Sequence, residues 1–176
     1  MKTKTAIIVT LLIILGISAR FIPHAPNFTP IMAIALFGAL YLPKKYALII
    51  PMLAMLTSDF FIGFYSWQIM LSVYTSFLLM IGIGLIIKNN KNFFTVLGST
   101  LLASIIFFLL TNFTVWAFGT LYTHNLAGLA QSYYLAIPFF RNSLLGNLFY
   151  VGILVGGYEF ALTYIKNKKK QIAVSL

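Results

Sequence analysis

Apolar residues run along this chain in long blocks, and polar residues gather in short clusters between them. Crossing a hydrocarbon layer ~30 Å thick takes ~20 helical residues, and several blocks approach or exceed that length. The pattern predicts helices over residues 5–19, 30–42, 46–61, 68–87, 93–118 and 141–165. The expected fold is all-α: one polytopic membrane domain, residues 1–176, built as a six-transmembrane-helix bundle.

The breaks between the blocks carry their own chemistry. "FIPHAPNFTP" holds three prolines in ten residues and cannot be regular helix. Thr29 followed by Pro30 suits a helix start, with a capping hydroxyl and a proline in the first turn. The second helix is then short for a crossing, at ~20 Å. Pro51 predicts a kink in the third. Residues 119–138, "GTLYTHNLAGLAQSYYLAIP", read as a long connection before a sixth helix that opens at Arg141. Lys2 and Lys4 before an apolar core resemble a signal peptide, but Ile17 in "GISAR" spoils the small-residue cleavage pattern, so an uncleaved first helix is expected.

Charge changes this picture by its distribution. Only 8% of residues are charged, against about a quarter in a soluble domain. The net charge of +10 does not point to nucleic acid, because all ten lysines fall at helix ends, in loops or in the tails. In a six-span chain every lysine lies on one side, which the positive-inside bias makes cytoplasmic, with both termini there. The opposite side carries no lysine but both arginines, Arg20 and Arg141, with His24, His124, Asp59, Trp67 and Trp116. The sequence has no cysteine, so disulfides and thiolate metal sites are out.

The arginines are exceptions to the rule that sorts the lysines. One reading is structural: they snorkel to the interface, or Asp59 pairs with Arg141 or Arg20 to fix how helices meet. The other is a ligand site, because intramembrane ionisable groups prefer the bundle interior or a water-filled cavity. Arginine, with its planar fork, also suits carboxylate or phosphate capture. Asn112 and Trp116 lie one turn apart on the fifth helix and would form a floor. Candidate walls are Arg20, Asn27, Asp59, Trp67, His124, Tyr134, Arg141 and Asn142. Residues 20–30 would be a lid or wall at the mouth. Glu159, near the carboxyl-terminal lysines, reads as bonding a neighbour, with a coupling role as the alternative. Two pairs of small residues four apart, Ala35 with Ala39 and Gly152 with Gly156, suit close helix packing or the docking of a second membrane subunit.

Missing motifs narrow the class. No Gly-Lys-Ser/Thr occurs, so there is no phosphate loop and no ATPase of its own. No HExxH and no Gly-x-Ser-x-Gly is present, and two histidines make a metal site improbable. An enzyme, a resident cofactor and a metal are therefore not expected. "NFTPIMAIALFGALYL", "SDFFIGFYS", "LLTNFTVWAFGTLY" and "IPFFRNSLLGNLFY" resemble an uncharacterised family of six-helix bacterial inner-membrane proteins, over nearly the whole chain. In size, span number and outward polar groups the chain is also similar to the substrate-binding S component of energy-coupling-factor vitamin transporters. That similarity implies a small-molecule ligand near the outer side, with a transmembrane coupling subunit and ATPases as partners. S components carry an AxxxA-type docking surface on their first helices; here the nearest fit is Ala35 to Ala39, on the second. The competing expectation is a structural membrane subunit similar to those of cell-shape or envelope assembly, in contact with the lipid bilayer and other proteins.

Overall fold

The computed structural model describes residues 3–174, and every regular element among them is helical. The helices are α1 (Thr3–Phe21), α2 (Ile31–Tyr41), α3 (Lys44–Ile62), α4 (Trp67–Ile87), α5 (Phe93–Phe118) and α6 (Leu126–Val151). A π turn, Gly152–Gly156, carries the chain without a break into α7 (Gly157–Val174). Four segments are long and apolar enough to cross a bilayer: Lys44–Ile62, Trp67–Asn90, Phe93–Phe118 and Leu126–Ala173. The chain is thus a membrane protein. Its outward faces carry large apolar side chains such as Leu56, Leu71, Phe113 and Phe149, about half exposed, a surface suited to lipid rather than water.

α2 sits at the centre. A helix apolar all round, with no polar stripe, must be buried on every side, and residues 31–40 are all buried. At ~1.5 Å per residue it is ~16 Å long. α3, α4, α6 and α1 pack around it, and α5 closes the far side between α4 and α6. Small residues permit the close approach. A Cβ on Gly84 of α4 would lie 2.6 Å from the Cβ of Ala39 and 3.1 Å from Leu36. A Cβ on Gly38 would lie 3.1 Å from the Cα of Ala47 on α3. Ala35 and Ala39 are each 0% exposed, so this pair is internal packing and is not open to a second subunit.

The sixth block differs most from the sequence reading. The connection is only residues 119–125, and residues 126–140, expected as loop, are helix. Asn125 starts that helix by accepting a hydrogen bond from the Gly128 N–H at 2.8 Å. Pro138 lies inside it without ending it. A proline removes one helical hydrogen bond, but in lipid the neighbouring backbone has no water to turn to, so the helix persists. Arg141 is therefore mid-helix, not at a helix start. Thr29 provides no cap either: the residue that precedes α2 is Pro30, and no side-chain cap is made.

The lysine-bearing ends gather at one end of the bundle. Lys88 Nζ donates to the Leu42 carbonyl at 3.0 Å, and Lys91 Nζ meets Glu159 at 3.2 Å and lies 4.2 Å over the Tyr41 ring. Tyr41 also donates its hydroxyl to Glu159 at 2.7 Å, so Glu159 bonds its neighbours there. Lys2 lies outside the described residues. Beyond Glu159 the helix leaves the bundle, and residues 160–173 are exposed throughout. Gly152 and Gly156 are exposed too, with nothing within 4 Å of an added Cβ, so no helix among the described residues packs closely on them.

These contacts separate two glycine changes. Gly84→Ala should destabilise the protein in nanodiscs by about 1–3 kcal/mol, since α2 and α4 must part. Gly152→Ala should be neutral or stabilising by a few tenths, since it gains helix propensity without a clash. Thermal melting of both variants checks this; equal melting temperatures would refute the packing.

Candidate functional site

Arg20 ends α1 and Asp59 stands in the last turn of α3, and the two helices pack side by side. Arg20 Nη1 meets Asp59 Oδ1 at 2.6 Å, with the guanidinium side chain 17% and the carboxylate 0% exposed. The same nitrogen donates to Ser58 Oγ at 2.8 Å and lies 3.5 Å from the Met55 carbonyl. Ser58 is itself held by the carbonyls of Ala54 and Met55. Tyr74 of α4 donates its hydroxyl to Asp59 Oδ2 at 3.0 Å. Of the two arginines, Arg20 is the partner of Asp59, and the pair fastens α1, α3 and α4 at their lysine-free ends.

A cavity of about 410 Å³ opens beside this pair. All contacts of Arg20 go through Nη1; Nη2 and Nε find no acceptor among the described residues. Residues 22–30 supply His24, Asn27 and Thr29 to the wall. This segment is anchored by Phe28, which packs against Phe149 and Tyr150 at 6.0 and 5.6 Å between ring centroids. A Cβ on Gly146 would lie 3.1 Å from the Phe28 backbone, so the α6 glycine is what lets the segment seat. Asn27, just before it, takes a left-handed φ of 64°, which asparagine tolerates better than most residues. Tyr65, in the loop between α3 and α4, also faces the cavity. Burial, and then the charge of Asp59, push its phenol up to about 12, against a smaller opposing effect of Arg20. It is therefore a neutral hydroxyl at physiological pH.

Among the lining residues that were not sequence candidates are two buried polar side chains of α6. Asn147 is 2% exposed, and its Nδ2 donates to Ser104 Oγ at 2.9 Å beside the Met32 sulfur at 3.1 Å. Its Oδ1 has no donor among the described residues. Ser143, one turn earlier, is 5% exposed and also unpartnered. Their spacing of four on one helical face was the available signal; the expected helix start at Arg141 drew attention to Arg141 and Asn142 instead. A smaller lobe of about 250 Å³ adjoins, sharing Asn27 and Ser143 and adding Asn112. Asn112 donates to the Phe108 carbonyl of its own helix at 2.8 Å.

The other sequence candidates lie elsewhere. Trp116 is not a floor with Asn112: its Nε1 donates to the Thr123 carbonyl at 3.0 Å, pinning the α5–α6 turn. His124 sits edge-on to Trp116 and bonds the Gly119 carbonyl in the same turn. Trp67 and Tyr134 are about 70% exposed. Arg141 and Asn142 line neither lobe, and Arg141 is exposed on α6. α6 begins fifteen residues earlier than expected, and its packing leaves Arg141 on an outer face while Ser143 and Asn147, on another face, turn inward. No group of three or more histidine, aspartate or glutamate side chains that could hold a metal occurs among the described residues.

Breaking a buried ion pair from one side leaves a stranded charge, at a cost of about 3–5 kcal/mol. Arg20→Met and Asp59→Asn should each cost several kcal/mol, and the double variant less than their sum. Arg141→Ala should leave stability within about 0.5 kcal/mol. Chemical or thermal unfolding in nanodiscs measures all four, and strict additivity would show that Arg20 and Asp59 do not interact.

No curated protein and no solved structure matches this sequence. A family model, described as a family of unknown function (DUF6580), matches residues 1–172. That match covers nearly all of the polypeptide, including every residue of the cavity, and the chain therefore belongs to the DUF6580 family.

Proposed function

We propose that this chain is a six-span protein of the bacterial cytoplasmic membrane, with both termini in the cytoplasm, that binds one small molecule in the Arg20 cavity. In this reading it is the substrate-binding subunit of an uptake system, similar to the S component of energy-coupling-factor transporters, and not an enzyme. The observation that carries it is the cavity itself. A guanidinium fixed by Asp59 keeps two nitrogens without an acceptor beside polar atoms of Ser143 and Asn147 that find no partner among the described residues, in a volume within the usual range for ligand sites. The short α2 supports it. Protein surrounds α2 on all sides, so it need not match the bilayer thickness, and the space above its amino end is where the cavity lies. The lysine-free position of the cavity makes it outward-facing under the positive-inside bias. Energy would come from a coupling subunit and ATPases, since the chain has no phosphate loop.

A second reading is favoured by a different feature. At the lysine end, α5 diverges from the π turn and leaves a groove of about 490 Å³ lined by Val96, Thr100, Leu148, Gly152 and Gly156. An apolar groove with small residues suits another membrane helix. A structural subunit of envelope assembly would use that groove and leave the Arg20 cavity filled with water.

Two measurements separate these readings. Native mass spectrometry of protein extracted in mild detergent should show a co-purifying small molecule. Arg20→Lys keeps the charge for Asp59 but loses the planar fork, and should cut its occupancy about tenfold or more, whereas Lys168→Ala should not. Equal retention by Arg20→Lys, or no bound molecule at all, would favour the structural subunit. A cytoplasm-dependent fluorescent reporter fused after Leu176 should light up; an active periplasmic phosphatase there instead would overturn the six-span topology.

A further inference from the structure

The polar atoms of the cavity form a complementary set of donors and acceptors, and their charges already cancel. Arg20 is the half-buried cation of the cavity wall, and Asp59 neutralises it at 2.6 Å. A carboxylate or phosphate ligand would leave the enclosed set net negative. A cationic ligand would find no free carboxylate: the second acid, Glu159, is at the opposite end with Lys91 and Tyr41. His24 is exposed at the rim and engaged with the Ile22 carbonyl through Nδ1. An unpaired charge in such a site loses its hydration without gaining a partner, so the chemistry favours a molecule with no net charge.

What the cavity offers is hydrogen bonds of both senses. Arg20 Nη2 and Nε are donors without acceptors, and they cannot act otherwise. Asn147 Oδ1 is an acceptor without a donor, fixed in that sense because its Nδ2 is committed to Ser104. Ser143 Oγ can serve either role. The rest of the lining includes apolar side chains, Met55 beside Arg20 and Val73, Phe77 and Phe107, with the two phenyl rings 6.2 Å apart. We infer that the Arg20 cavity takes an uncharged molecule with an apolar body and an edge that carries both a carbonyl and an N–H, of the urea or amide class. The carbonyl accepts from Arg20, and the N–H donates to Asn147 Oδ1. This inference rests on the reading of the cavity as a ligand site; of the anionic or carbonyl-bearing ligand that two outward arginines suggest from sequence, it keeps the carbonyl and drops the anion, because Arg141 does not line the cavity.

Three probes on one ring test it: N-cyclopentylurea, cyclopentanecarboxylate and cyclopentylammonium. Binding is measured by saturation-transfer NMR on the full-length protein in nanodiscs, with empty nanodiscs subtracted. The urea should bind wild type about tenfold or more tightly than either charged probe. Asn147→Leu should weaken urea binding about tenfold, since it removes the acceptor that pairs the N–H, and Ser143→Ala should weaken it severalfold. Asn147→Asp adds one buried carboxylate and should transfer the preference to the ammonium probe, an outcome that loss of packing alone would not produce. Melting curves identify any variant that fails to fold, and the remaining variants carry the test. Tightest binding of the carboxylate, or unchanged urea binding in folded Asn147→Leu, would overturn the assigned class while leaving a ligand site in place. Binding of none of the three by wild type would overturn both the class and the site.

Discussion

The ion pair between Arg20 and Asp59 is the interaction on which the lysine-free half of this molecule depends. A carboxylate with no exposure to solvent is tolerated only when its charge is met, and here a guanidinium on α1 and a phenol on α4 meet it. The requirement works in both directions. Asp59 fixes where α1 ends relative to α3, and Tyr74 ties α4 to the same point. Because one nitrogen of Arg20 meets both Asp59 and Ser58, the rest of the guanidinium is held in place without being used up. A structural ion pair thus prepares a set of donors oriented towards the adjoining cavity.

The second constraint is volume. α2 is a short apolar helix with no face for water or lipid, and the surrounding helices approach it through Gly84, Gly38 and Ala39. Its shortness leaves room above its amino end. A proline-rich segment that cannot be helical fills part of that room and is seated on α6 by Phe28 against Gly146. The remainder is the cavity. Its walls therefore come from the ends of α1 and α3, the beginning of α2, the middle of α4, α5 and α6, and two loops. A site assembled from so many elements would respond to any relative motion of them, which is what a substrate-binding subunit coupled to an energising partner would require.

The two ends of the bundle also differ in kind. At the lysine end, Glu159, Lys91 and Tyr41 form a partly exposed cluster beside an apolar groove. An ion pair of that exposure contributes little to stability. The groove exists because α5 and the π turn diverge, not because small residues draw helices together. Gly152 and Gly156 carry the small-residue spacing associated with tight packing, yet face open space, whereas Ala35 and Ala39, with the same spacing, are wholly enclosed.

Sequence alone determined the helical membrane character, because apolar block length against bilayer thickness leaves few alternatives. It placed α5 at both ends correctly and α4 to within one residue, since lysine and asparagine clusters or aromatic loops bound them sharply. It also marked Arg20 and Asp59 as candidates for a pair, since a lone acid at that depth demands a partner. Tertiary structure decided the rest. Which arginine pairs with Asp59, and which faces the cavity, depends on helix rotation in the packed bundle, and the start of α6 decides that Arg141 lies mid-helix. Pro138 concealed that start: a proline usually breaks a helix in water, but in lipid the helix continues through it. Packing of α6 against its neighbours leaves Arg141 outward and turns Ser143 and Asn147 inward. Small residues four apart likewise announce a capacity for close contact; only the packed bundle shows which pair meets another helix.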